Sequence, residues 1–229
     1  MNKIIFKGVE STEIKGLLIC ELPTITKPKM RVKETKIDGL DGSIIEELGY
    51  ETYDKSVKIG LMGKYNIDEV IKYFSGEGNI TFSNEPDKYY KARIINQIDY
   101  DRLLRYKEAT IKFKVQPYKY ELDENSTTLT ASGRNVTNNG LETSRPKMTI
   151  TGSGTIELLV NDLIVFSYTF PEDETEVVID SEKQDAYLGT VLKNRNMTGE
   201  FPILESGDNK ISWTGTITKI IVEPRSRWL

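Results

Sequence analysis

Apolar residues in this chain recur mainly at every second position, in short runs cut by glycine and proline, and that spacing predicts strands along nearly its whole length. Lys55 to Leu61 alternates strictly, and Glu108 to Val115 alternates again, with Ile111, Phe113 and Val115 on one face and Thr110, Lys112 and Lys114 on the other. Pro117 is expected to end that strand. The runs Ile4 to Phe6 and Leu17 to Ile19, separated by Gly8 and Gly16, add strands near the start. Ile80 to Phe82 and Tyr89 to Ile94 flank Asn84, Glu85, Pro86 and Asp87, which have the composition of a hairpin turn. One segment alone carries a helical period. Asn66 can cap it, Glu69 follows three residues on, Ile67, Val70, Ile71 and Phe74 share a face, and Gly76 supplies the stop.

From Tyr120 to Asn139 the composition turns polar, which predicts a boundary between two separately cored domains, 1–125 and 126–229. Short strands recur beyond it, at Pro146 to Gly152, Thr155 to Asn161, Ile164 to Phe170, Glu176 to Asp180 and Lys219 to Glu223, at the spacing of a β-sandwich. Gly152, Ser153 and Gly154, and the pair Asn161 and Asp162, are read as turns between them. The net charge is −4, and it arises in the second domain: 21 basic and 21 acidic residues precede position 126, and 10 basic and 14 acidic follow. That lacks the basic excess of a chain that binds a nucleic-acid backbone. The N-terminal residues lack the apolar core of a secretion signal and no stretch has the length of a membrane span, so a soluble protein made inside the cell is expected.

The chain contains no histidine, which removes the Ser-His-Asp triad, the Cys-His pair and His-ligated zinc. The single cysteine, Cys20, follows Leu17, Leu18 and Ile19 and is expected to be a small buried residue of a strand. Glu172, Asp173 and Glu174 lack the ligand spacing of a calcium loop and read as a solvated turn. No catalytic residue, metal site or cofactor is expected, and the chain is not expected to be an enzyme. A glycosidase built on two carboxylates is the weakest of the alternatives. Arg102 to Tyr120 mixes basic and aromatic residues, but Lys112 and Lys114 alternate as the wet side of a strand. Trp213, between Ile211 and Ile217, reads as core, and Trp228 is the residue assigned to a glycan contact if the second domain is a carbohydrate-binding module.

Thr35 to Tyr53 holds Gly39, Gly42 and Gly49 in a polar connection too long for a compact domain, so it is read as an extended arm. Its contact residues are taken as Asp38, Gly39, Asp41, Gly42, Ile44, Ile45, Tyr50 and Tyr53. These stretches, in their order, resemble the distal tail protein family of long-tailed, non-contractile phages and prophages. The resemblance rests on Asp38 to Ser43, Val57 to Leu61 before the helix, Ile80 to Ala92 and Phe113 to Tyr120. It continues in Ser144 to Pro146, Val178 to Glu182, Phe201 to Asn209 and Pro224 to Leu229. Gly39, Leu40, Asp41 and Gly42 stand where the family has Gly-Arg-Asp-Gly. The resemblance implies a mainly β fold: an N-terminal split β-barrel with one short helix, of the tail-tube kind, and a C-terminal galectin-like or carbohydrate-module-like sandwich. It also implies a ring of six copies at the virion tail tip, made in the host cytoplasm. Implied partners are the tail-tube protein, the tape measure protein and the tail-associated hub, lysin or receptor-binding proteins. DNA would only pass through, and no membrane insertion is implied.

Overall fold

The computed structural model describes every residue of the chain except Leu40 and Asn96. The chain divides into two compact units, Met1–Leu122 with Leu229, and Asp123–Trp228. The first unit contains β1 (Ile4–Phe6), β2 (Val9–Glu10), β3 (Leu17–Glu21), β4 (Met30–Thr35), β5 (Ile44–Tyr50) and β6 (Tyr53–Leu61). After α1 (Ile67–Tyr73) come β7 (Glu77–Phe82), β8 (Lys88–Arg93), α2 (Tyr100–Tyr106) and β9 (Glu108–Glu121). The main sheet is antiparallel, in the order β2-β1-β7-β8-β9-β6-β3, a half-barrel whose path does not close on itself among the described residues. Phe113 of β9 centres its core, edge-on to Phe6 at 5.3 Å and to Phe82 at 6.4 Å. Aromatic pairs in this geometry add to the burial of their area.

The helix expected after Asn66 is present, with the Asn66 side chain accepting from the Asp68 amide at 3.1 Å and donating to Glu69 at 3.2 Å. Val70, Tyr73 and Phe74 are buried and Ile71 is exposed, so Tyr73 takes the place expected of Ile71 on the inner face. Tyr73 can do so because its hydroxyl donates to the Val9 carbonyl at 3.1 Å. A second helix, α2, corrects the expectation of one. It starts where the Asp99 carboxylate accepts from the Arg102 amide and contributes a single fully buried side chain, Leu103, too little to mark a periodic face. Pro117 does not end β9. Opposite β8 the register steps from Tyr90–Lys119 to Ala92–Val115, so Gln116, Pro117 and Tyr118 bulge against one residue and no ladder bond is needed from proline. Cys20 is exposed: β3 turns Leu17 and Ile19 inward, and the next position faces out beside Gly60.

The second unit contains β10 (Thr127–Leu129), β11 (Arg134–Asn138), β12 (Lys147–Val160), β13 (Leu163–Thr169), β14 (Glu176–Asp180) and β15 (Asp185–Leu188). Then follow β16 (Val191–Leu192), β17 (Met197–Gly199), β18 (Gly207–Glu223) and β19 (Arg227–Trp228). The long strands β12 and β18 pair along most of their length and serve both layers. The first half of β12 pairs with β14, and its second half with β13. Likewise β18 pairs with β11 through Gly207 to Ile211 and with β10 through Ile220 to Val222. Gly152, Ser153 and Gly154 are therefore a bend inside one strand, where a turn between two strands was expected. Asn161 and Asp162, both at positive φ, do form the two-residue turn between β12 and β13. The core comprises Met148, Ile150, Ile156, Leu158, Val177, Ile179, Ile220 and Val222 with Phe166 and Tyr168.

The bend requires glycine. Gly215 has φ +82°, and a Cβ there would lie 2.4 Å from the Thr155 carbonyl oxygen. Gly154 has φ +67° but open space around it. Gly215→Ala should therefore destabilise this unit by about 3 kcal/mol, and Gly154→Ala by about 1 kcal/mol. Both tryptophans lie in this unit, so urea unfolding followed by tryptophan fluorescence reads it directly. Equal costs at the two positions would contradict the steric account.

Candidate assembly arm

Strands β4 and β5 form a two-stranded hairpin of their own, apart from the main sheet, where the sequence suggested an unpaired connection. The register pairs Thr35 with Ile44, Glu34 with Ile45 and Val32 with Glu47. Cross-strand partners share a face, so Val32 and Ile45 lie on one side and Ile44 and Leu48 on the other. All four are exposed, Ile45 to 62%, and so is Ile37 beyond β4. A hairpin with two solvated faces has no core of its own to fix it.

The expected arm residues fall into three places. Asp38 and Gly39 form the turn at the tip, Gly39 with φ +84°; Asp41 and Gly42 follow as a bend, and Leu40 between them lies outside the described residues. Ile44 and Ile45 project from β5. Tyr50 and Tyr53 are at the root. Tyr50 packs edge-on to Tyr118 at 6.1 Å, and Tyr53 opens β6 and packs against the half-barrel core. The backbone bond from Glu51 to the Lys29 carbonyl, 2.8 Å, closes the hairpin base.

Beneath the root is a buried charged group that sequence reasoning did not single out. Lys55 occupies an inward position of β6, in phase with Val57 and Ile59, and is 2% exposed. Its ammonium donates to the Thr24 carbonyl at 3.2 Å and lies 4.6 Å from the centre of the Tyr90 ring and 5.6 Å from that of Tyr53. Glu85, in the β7–β8 turn, is buried as well and accepts from the Tyr90 hydroxyl and the Lys119 ammonium, each at 2.6 Å. Asn84 donates to the Pro23 carbonyl at 3.0 Å. Two side chains thus hold the Pro23–Thr24 backbone, from which the chain runs into the hairpin. Burial pushes the Lys55 pKa down, and nearby Glu85 opposes that. Burial, reinforced by Glu85, pushes the Tyr53 hydroxyl up to about 12 and the Tyr90 hydroxyl strongly upward. A tyrosine raised in this way holds its proton in the folded state and loses it first in the unfolded chain. Its stabilising share is complete below pH 10 and falls as pH climbs through 10 to 12. A signal was present in the sequence, a lysine in phase with the inward residues of an alternating strand, but its partners lie about 30 positions away and further.

The second unit exposes no aromatic side chain: Tyr187, Phe201, Trp213 and Trp228 are half-buried and the others buried. Trp213 packs partly against the core, as expected, and Trp228 lies in β19.

Residues 12–115 match the family model of the phage tail protein RIFT-related domain. Among solved structures the chain is similar to the Dit protein of phage SPP1, described as a paradigm of hub adsorption apparatus in phages that infect Gram-positive hosts. The match covers 100% of both chains with a TM-score of 0.74 at 18% identity. It is also similar to a chain in the phage p2 baseplate in its activated conformation with calcium, with a TM-score of 0.53, 11% identity and 97% and 98% of the two chains covered. In the strontium form the corresponding values are 0.51, 10% and 97% of each. No curated protein sequence matches. Residues 12–115 therefore resemble a phage tail protein RIFT-related domain, and the full length shares its fold with the SPP1 Dit protein.

The buried group yields a contrast between two variants. Glu85→Ala strands the buried Lys55 charge and the half-buried Lys119 charge and should cost about 3 kcal/mol in chemical unfolding. Lys55→Met replaces the ammonium with a side chain of similar volume and should change stability by less than about 1 kcal/mol, while freeing Thr24. Limited trypsin digestion should then cut faster at Lys29 or Arg31 in Lys55→Met. Unchanged cutting would remove the anchoring role.

Proposed function

We propose that this chain is a distal tail hub protein, a non-enzymatic subunit that assembles as a ring of six at the phage tail tip. The ring would join the tail tube to the hub, lysin or receptor-binding machinery and continue the channel through which the tape measure protein and DNA pass. The observation that carries this reading is the end-to-end likeness to the SPP1 hub protein, both units included. Physical features agree with it. Among the described residues the half-barrel sheet ends at β2 and at β3, edges that can pair with neighbouring copies. The hairpin displays Val32, Ile37, Ile44, Ile45 and Leu48 to solvent, an arrangement suited to lying on another subunit. A heterologous contact of this kind ends in a closed ring when its rotation closes. Catalysis has no evident basis, since with histidine absent an enzyme would rest on carboxylates, on a Ser/Lys pair or on a metal held by oxygen ligands, and the sequence patterns none of these.

The arm gives the test. Because Ile44 and Ile45 touch no core, replacing both with aspartate should leave thermal unfolding within a few degrees of the parent. Light scattering and negative-stain microscopy should show six-membered rings for the parent protein, alone or with tail-tube protein, and smaller species for the variant. A parent that stays monomeric under both conditions refutes the reading, and a variant that still forms rings removes the arm from the contact.

A further inference from the structure

We propose that the second unit carries a binding site for one ring of a neutral saccharide, in a cleft of about 250 Å³ lined by Arg145, Ser181, Gln184, Glu200, Phe201 and Pro202. Three segments meet there, contributing Arg145, Ser181 with Gln184, and Gly199 to Ile203. A pair of backbone bonds between Ser144 and Leu204, 2.8 and 3.0 Å, holds the first segment beside the third. The middle segment is fixed from below. Asp180 is buried, accepts twice from the Arg225 guanidinium at 2.6 and 3.1 Å, and caps the Glu182 amide at 3.1 Å and the Lys183 amide at 3.3 Å. The cleft floor is therefore rigid before any ligand arrives, which lowers the entropy lost on binding.

The chemistry selects the ligand. Arg145, Gln184 and Glu200 are exposed, and none of the three makes a side-chain hydrogen bond or ion pair among the described residues. Ser181 is buried in the floor, and its hydroxyl has no partner among the described residues. A guanidinium, a carboxamide and a carboxylate share one property: each is planar and meets a pair of neighbouring hydroxyls with two hydrogen bonds. Glu200 disfavours an anion and Arg145 disfavours a cation, so a neutral polyhydroxyl compound is the ligand both accept. Phe201 is half-buried against the core and, with Pro202, offers an apolar wall to the C–H face of a sugar ring. The volume lies just below that of drug-sized pockets, which limits the occupant to about one ring and the affinity to the millimolar range. Copies held in one assembly would multiply such weak binding through effective concentration.

Saturation-transfer NMR on the full chain tests this site without reference to assembly. The probes are methyl glycosides of hexoses and N-acetylhexosamines, with inorganic phosphate as the anionic comparison. At least one glycoside should bind with a Kd in the millimolar range, and Arg145→Ala and Gln184→Ala should each weaken it about tenfold. Both side chains are exposed, so the variants should retain the parent's melting temperature. Absence of transfer from every glycoside, transfer that survives both substitutions, or competition by phosphate at similar concentration each overturns the proposal. Ring formation is measured separately, so failure here leaves the hub reading standing, and the reverse also holds.

Discussion

Both units are built on strands too long to lie flat. β9 and β12 have 14 residues each and β18 has 17, so each extends over about 45 Å or more at the usual rise per residue. A small core is narrower than that, and such a strand must bend while keeping its apolar side inward. β9 does so at Pro117, where three residues bulge against one and the missing N–H is not needed. β12 and β18 bend together at Gly152 and Gly215, where carbonyl oxygens approach too closely for any Cβ. The bend also resets the phase of β18, whose inward residues are Asn209 and Ile211 before it and Ile220 and Val222 after it. Once these three strands are bent, the shorter ones have edges to pair with and a core to cover.

That constraint explains what could be read from the sequence. Alternation at Lys55 to Leu61 and Glu108 to Val115, the Asn66 cap and the Asn161–Asp162 turn are local signals, and the structure realises each. Bends within strands use the same residues as turns between strands, so Gly152 to Gly154 and Pro117 look like strand ends in the sequence alone. α2 escaped because seven residues with one buried side chain carry almost no periodic signal. Residue type and apolar neighbours point Cys20 inward, whereas the parity of β3 sends it out. The groups of most functional interest escaped for another reason. Lys55, Glu85 and Lys119 are brought together by pairing across β6, β8 and β9, and Arg145, Ser181 and Phe201 by the sandwich, and neither grouping has any sequence spacing to betray it.

The hairpin and its root have opposite energetics. The root buries charge, which in general contributes little net stability relative to an apolar core but tolerates few alternative arrangements. Here the ammonium of Lys55 and the carboxylate of Glu85 fix Tyr90, Thr24 and Lys119 in one geometry. Beyond the root, the arm leaves five large apolar side chains in water. Covering about half of each would return roughly 1 kcal/mol per side chain, or about 5 kcal/mol per contact before the cost of ordering is subtracted. That gain is available to a second copy and to nothing within the hairpin itself, since its two faces point in opposite directions.

On the proposed ring assembly, the buried charge would have a role that stability alone does not supply. A ring closes only if each subunit is rotated from the last by a fixed angle, and a head-to-tail contact made at a loosely held angle yields open helical arrays. An arm about ten residues long magnifies small angular errors at its base into several ångströms at its tip. Apolar packing alone tolerates sliding, whereas a carbonyl held by a buried ammonium and a neighbouring one held by Asn84 do not. On the assembly proposed here, the lysine at an inward strand position sets the direction in which the arm leaves the half-barrel, and through it whether six copies meet.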